Sequence, residues 1–167
     1  MTTLQERSSG TEDVPAHLAF EARKLDAYLC MHVDGYTGLT GLAKFKGGQT
    51  NPTFLLTTFE RNYVLRKKPG GKLVHSAHAI DREYKVIAAL HAHGFPVPRP
   101  YLYCADASVV GTEFYVAEFL QGRIFWDPAL PSVSPVDRAA IYADASRCLS
   151  RVHTVDLEAS GLGEFGK

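Results

Sequence analysis

Apolar positions change their period several times along the chain, and each change marks an element. Residues 1–15 are polar and are expected to form a flexible tail. Leu18, Ala22, Leu25 and Leu29 then recur at helical spacing, predicting a helix over 17–33 that Gly35 can terminate in a left-handed conformation. From Leu39 the pattern becomes extended. Strands are predicted over 39–46, over 53–59, which is rich in β-branched and aromatic residues, and over 63–67. The turn Gly47-Gly48-Gln49-Thr50-Asn51-Pro52 separates the first two, and Glu60-Arg61-Asn62 the next pair, so an antiparallel meander is expected.

Helical spacing returns over 77–93, where Ile80, Tyr84, Ile87 and His91 share a face. Gly94 and the proline-rich run PVPRP at 96–100 end it. Segments 101–105 and 112–120 read as a further hairpin with Gly111 in its turn. A last helix opens at Ser134-Pro135-Val136-Asp137, with a capping serine, a proline at the first helical position and an acid at the positive end. Ile141, Ala145, Cys148, Leu149 and Val152 give it one apolar side. The expected fold class is α+β: about five antiparallel strands, with a helix inserted after the third.

Composition narrows the function more than the fold. Eighteen basic and eighteen acidic residues cancel, so no overall field favours nucleic acid or an anionic membrane. Any anionic ligand must therefore be held locally. Cys30, Cys104 and Cys148 are widely separated and read as reduced packing residues. The polar, acid-containing opening does not suit a secretory signal, and no run reaches the ~20 apolar residues of a membrane span. A soluble cytoplasmic protein, with neither nucleic acid nor membrane as partner, is expected.

Three features could carry chemistry. The loop at 47–51 allows close backbone approach and could surround phosphate oxygens, but two glycines between strands also serve as a plain turn. Arg66 lies in phase with Val64 on its strand. Glu83 falls between Ile80 and Ile87 on the apolar stripe of the second helix, where a carboxylate needs a partner, and Arg66 is the natural one. A solvated Asp81-Arg82-Glu83 patch is the other reading. His75-x-x-His78 and His91-x-His93 lack the further ligands that would complete a metal site. Phe125 and Trp126 suit either an acceptor pocket or a junction between lobes.

A loop with glycines, a strand cation, a helix acid and then two strands resembles the N-lobe of a kinase. The runs FKGGQTNPTFLL at 45–56, YVLRKKP at 63–69 and DREYKVIAAL at 81–90 resemble the aminoglycoside phosphotransferase-like family. So do PVPRP at 96–100, GTEFYVAEF at 111–119, GRIFWDP at 122–128 and LSRVHTVD at 149–156. The likeness covers about 39–166 and is strongest to the branch fused to some acyl-CoA dehydrogenases. It implies a protein-kinase-like fold and transfer of phosphate from ATP or GTP, with Mg²⁺, to a hydroxyl group. Hydroxyacyl-CoA esters are the implied acceptors of the fused relatives.

By position, Gly47, Gly48, Gln49, Thr50 and Asn51 would cover the nucleotide phosphates. Arg66 would replace the kinase lysine, with Glu83 holding it. Backbone groups at Glu118 and Leu120 would meet the adenine edge, with Ala117 behind them. Residues 16–120 would form the N-lobe, and 121–167 the hinge, linker and first helix of a truncated C-lobe. The family's H-G-D-x-x-x-x-N catalytic loop and later metal-binding Asp do not occur in the sequence. The expectation is therefore an inactive nucleotide-binding part that needs a C-lobe polypeptide. The rivals are a non-catalytic nucleotide-binding or interaction module, or a non-functional fragment.

Overall fold

Strict alternation along two neighbouring strands decides the architecture. Strands β3 (Thr53–Thr58) and β4 (Asn62–Lys67) bury every second residue, so each contributes one buried, mainly apolar side and one half-exposed side. In the computed structural model, which describes residues 8–47, 50–71 and 78–165, they lie within a six-stranded antiparallel sheet. Its other strands are β1 (Thr11–Glu12), β2 (Leu39–Phe45), β5 (Pro100–Cys104) and β6 (Phe114–Glu118), in the order β1-β2-β3-β4-β6-β5.

Helix α1 (Ala22–His32) covers one face. Its Leu25 and Leu29 are fully buried with Phe54, Leu56, Tyr63, Leu65, Phe114 and Val116. Asp26 Oδ1 accepts from the Tyr36 hydroxyl at 2.9 Å and from Leu39 N at 2.8 Å, which fixes the passage from helix to sheet. Gly35, at φ 71°, makes the turn out of the helix in the left-handed region. Helix α2 (Ile80–Ala92) lies on the opposite face, where Ile80 packs with Tyr115 and Ala117.

Several expected boundaries change. The expected tail contributes β1, paired with Phe45 and Lys44 and reinforced by Lys44 Nζ on Glu12 Oε1 at 2.8 Å, so the strands number six. A two-residue strand is too short to leave a period in the sequence. The first helix is interrupted: Ala16–Leu18 is a 3₁₀ turn, and α1 begins only at Ala22. The hairpin loop holds a single-turn helix α3 (Ala107–Val110), because Asp106 caps it through Ser108 N at 2.8 Å and Gly111 closes it at φ 87°. Ala77, the expected start of the second helix, lies outside the described residues.

Helix α4 (Pro135–His153) starts where its caps predict, with Ser134 Oγ accepting from Asp137 N at 3.2 Å and donating to Asp137 Oδ2 at 2.8 Å. None of its residues is buried. Its ties to the rest are polar and aromatic, such as Arg151 on Gly94 O at 3.1 Å and over the Phe95 ring. No helix among the described residues is long and apolar enough to cross a membrane.

This difference in burial sets an expected contrast. Leu29→Ala, at 0% exposure, should lower unfolding free energy by about 3 kcal/mol. Leu149→Ala, at 57% exposure on α4, should change it by under about 0.5 kcal/mol. Urea denaturation of both variants checks the pair.

Candidate functional site

The register of the sheet builds the site around Arg66. Thr53 of β3 is its partner on one side and Tyr115 of β6 its partner on the other, so the three form a row across adjacent strands. Glu83, in the first turn of α2, descends onto this row. Arg66 Nε meets Glu83 Oε1 at 2.9 Å and Oε2 at 3.1 Å, while Arg66 Nη1 donates to Thr53 Oγ1 at 3.1 Å. The pair expected from the helical stripe is thus brought together in a half-buried position.

The Glu83 carboxylate has two further donors. The Tyr115 hydroxyl donates to Oε1 at 3.0 Å, and Asn51 Nδ2 to Oε2 at 3.4 Å. Burial, and then the adjacent Glu83 charge, push the Tyr115 phenol well above its ordinary range. Tyr115 is therefore a neutral phenol that donates to the Glu83 carboxylate. Both carboxylate oxygens are thus engaged within the protein.

The glycine-containing loop reaches this cluster at its far end. Asn51 is buried, and its Oδ1 lies 2.9 Å from His78 Nδ1. Gly48 and Gln49 lie outside the described residues, as does His75; Thr50 is exposed. At the near end, a Cβ on Gly47 would sit 2.9 Å from Cζ2 of Trp126, so the glycine is what lets the linker indole approach.

Trp126 also lines a cleft of about 1080 Å³ between the sheet and the segment 119–132. Phe45 and Phe119, stacked at 6.3 Å, form part of its wall with Leu120, Ile124 and Phe125. Of the residues expected at the hinge, Leu120 faces this cleft. Glu118 is turned to the sheet edge: its N–H donates to Arg99 O at 2.8 Å, and its carboxylate accepts from Arg99 N at 3.1 Å. Ala117 is buried against Ile80 and Tyr115. Apolar cleft and polar row are thus two separate regions, joined by β2 and the loop after it.

No group of three His, Cys, Asp or Glu suited to a metal ion occurs among the described residues. His93 Nδ1 approaches Ala89 O at 2.9 Å within its own helix end.

An antiparallel sheet carrying a helix whose acid grips a strand cation defines a kinase-like lobe. A family model described as the phosphotransferase enzyme family matches residues 41–167, and the chain belongs to that family. A solved structure from Ralstonia eutropha, of a protein provisionally described as an aminoglycoside phosphotransferase, is similar with a TM-score of 0.77 and 44% identity. The match covers 89% of this chain and 43% of that one. Acyl-CoA dehydrogenase family member 11 of Rattus norvegicus is 48% identical over 159 residues, 93% of this chain and 20% of that protein. Its Homo sapiens counterpart is 45% identical over the same proportions. The chain therefore spans about a fifth of the length of these curated relatives.

Two participants escape a reading of the sequence, and a third, His78, is read there only as half of an incomplete metal pair. Thr53 and Tyr115 enter only through register, and His78 through its place beside the loop. Knowing that β6 neighbours β4 would have exposed Tyr115, but a simple meander puts β5 there instead.

Tyr115→Phe should cost about 1 kcal/mol at neutral pH by removing one donor from Glu83. A phenol whose pKa is raised on folding stabilises the protein fully below its ordinary value and loses that contribution as pH rises. The variant should therefore lose stability less steeply than the parent above about pH 10, as read from denaturant midpoints across pH.

Proposed function

We propose that this chain is the nucleotide-holding part of an ATP- or GTP-dependent phosphotransferase that acts on a hydroxyl group. The observation that carries the reading is the Arg66 guanidinium, fixed by Glu83 and Thr53 on the face of the sheet where the loop 47–51 ends. A held cation beside a loop with backbone donors is what a phosphoryl group requires, since such transfer depends on positioning and charge neutralisation. The planar fork of arginine spans Glu83 and Thr53 at once, which a lysine ammonium does less well. Phe45, Phe119 and Leu120 offer an apolar cleft for a planar base, with Leu120 supplying backbone polar groups at its edge.

Magnesium fits these residues poorly. Glu83, the acid of the cluster, has both oxygens committed to Arg66, Tyr115 and Asn51. The H-G-D-x-x-x-x-N loop does not occur in residues 1–167, and no metal-binding cluster occurs among the described residues, so phosphoryl transfer is expected to need another polypeptide segment. The acceptor reading, a hydroxyacyl-CoA, rests on the names of the acyl-CoA dehydrogenase relatives. A cytoplasmic setting is part of the same proposal.

Calorimetric titration with ATP and Mg²⁺ tests the site. Binding should occur, and Arg66→Ala should weaken it at least about tenfold, the scale of one charge-assisted contact. Addition of ATP should also change the emission of Trp126, the chain's single tryptophan, because it packs on Gly47. Absence of binding would favour a non-catalytic interaction module instead, a reading supported by the exposed Leu149 and Val152 of α4. No transfer of labelled phosphate to a hydroxyl acceptor is expected from residues 1–167 alone; turnover above a vector-only control would refute this.

A further inference from the structure

The sequence suggests Asn51 as one of the residues covering the phosphates and gives His78 no part there, but Asn51 is buried and both ends of its amide are already used. An ionised carboxylate only accepts, so the amide edge facing Glu83 must be Nδ2. Oδ1 then faces His78, and the ring nitrogen there, Nδ1, must carry a proton. The orientation of the amide is thereby fixed at both ends. Asn51 O also accepts from Thr53 Oγ1 at 3.1 Å, and Thr53 Oγ1 receives Arg66 Nη1. His78 itself stands at φ 67°, a left-handed conformation that is costly for a residue other than glycine. Backbone held in such a region persists only when its surroundings impose it.

We propose that His78 and Asn51 are positioning residues for Arg66: His78 orients the Asn51 amide, and Asn51 ties its own segment to Glu83, so that Asn51, the first turn of helix α2 and the cation form one unit. The role rests on the reading of Arg66 as the phosphate-facing cation, although the mechanical link itself does not depend on nucleotide. On this assignment Asn51 is a strut and not a phosphate ligand. The short path, from a residue just before α2 through the Asn51 amide to the helix acid, links the position of His78 to the cation's orientation.

The test uses the full chain and separates donor from strain. His78→Gly removes the donor while relieving the left-handed backbone; His78→Asn keeps a donor at the position of Nδ1 and tolerates the same backbone. Solvent exchange of the Arg66 Nε–H proton, followed by nuclear magnetic resonance, reports the fixed guanidinium without nucleotide. His78→Gly and Asn51→Ala should each speed this exchange about tenfold, the double variant should add little more, and His78→Asn should restore protection. Affinity for ATP and Mg²⁺ should fall about three- to tenfold in the first two variants and recover in His78→Asn. Loss of melting temperature with unchanged Arg66 exchange would overturn the relay, as would an unprotected Nε–H in the parent. If the parent binds no ATP while exchange responds as described, the relay stands and the nucleotide reading fails.

Discussion

Arg66 and Glu83 hold the site together by joining elements that little else joins. The two faces of the sheet are unequal. Among the described residues, twelve buried ones pack in the cluster beneath α1, whereas the one beneath α2 has Ile80, Tyr115 and Ala117 with the partly buried Tyr84, Ile87 and Tyr103. Burial of apolar area therefore anchors α1 firmly and leaves α2 with a modest hydrophobic hold. What fixes the first turn of α2 is the ion pair, at 2.9 Å, with its extra donors from Tyr115 and Asn51. An ion pair in this half-buried position gains from incomplete screening while avoiding much of the desolvation of a deep one. Removing either partner would leave a charge facing a protein dipole arranged for its opposite.

The strand that carries Arg66 solves a second problem in three consecutive residues. Arg66, Lys67 and Lys68 are all basic, yet alternation sends them to different places. Arg66 faces α2, whereas Lys67 turns into the α1 face, where Nζ donates to Val110 O at 2.7 Å and lies 5.1 Å from the Phe20 ring centre. Burial draws its pKa down, and the carbonyl at the end of α3 together with the aromatic face offsets part of that cost. Lys68 leaves the strand to meet Glu113 at 2.8 Å, holding the start of β6 in register. A one-residue slip would exchange the environments of Arg66 and Lys67, so the pattern specifies register as well as face.

Much of this was legible in the sequence because it rests on local periodicity. The α+β class, the phase that puts Arg66 opposite Glu83, and the cap at Ser134 all follow from residues a few positions apart. Other features depend on pairings between distant segments. Nothing in Thr11–Glu12 announces an edge strand, because its stabilising partners are Phe45 and Lys44. Tyr115 becomes a site residue only because β6 inserts between β4 and β5. The half-exposed face of β3 likewise hides the role of Thr53, since a threonine is common in any strand. Asn51 reads in the sequence as one of the phosphate-covering loop residues; its burial and its contacts with Glu83 and His78 are visible only in the fold.

The separation of cleft and polar row gives the intervening loop its importance. Phe45 enters the cleft wall, Gly47 receives the Trp126 ring and Asn51 reaches Glu83, all within seven consecutive positions. The wall residue Phe45 and the Glu83 contact of Asn51 thus belong to one short segment of sequence. Gly47 matters there for a steric reason, because a side chain would push against Trp126. The proposed nucleotide site is consequently a shared property of linker, loop and helix. Its geometry can change without disturbing the larger α1 core, which supplies the rigid base against which such a change would occur.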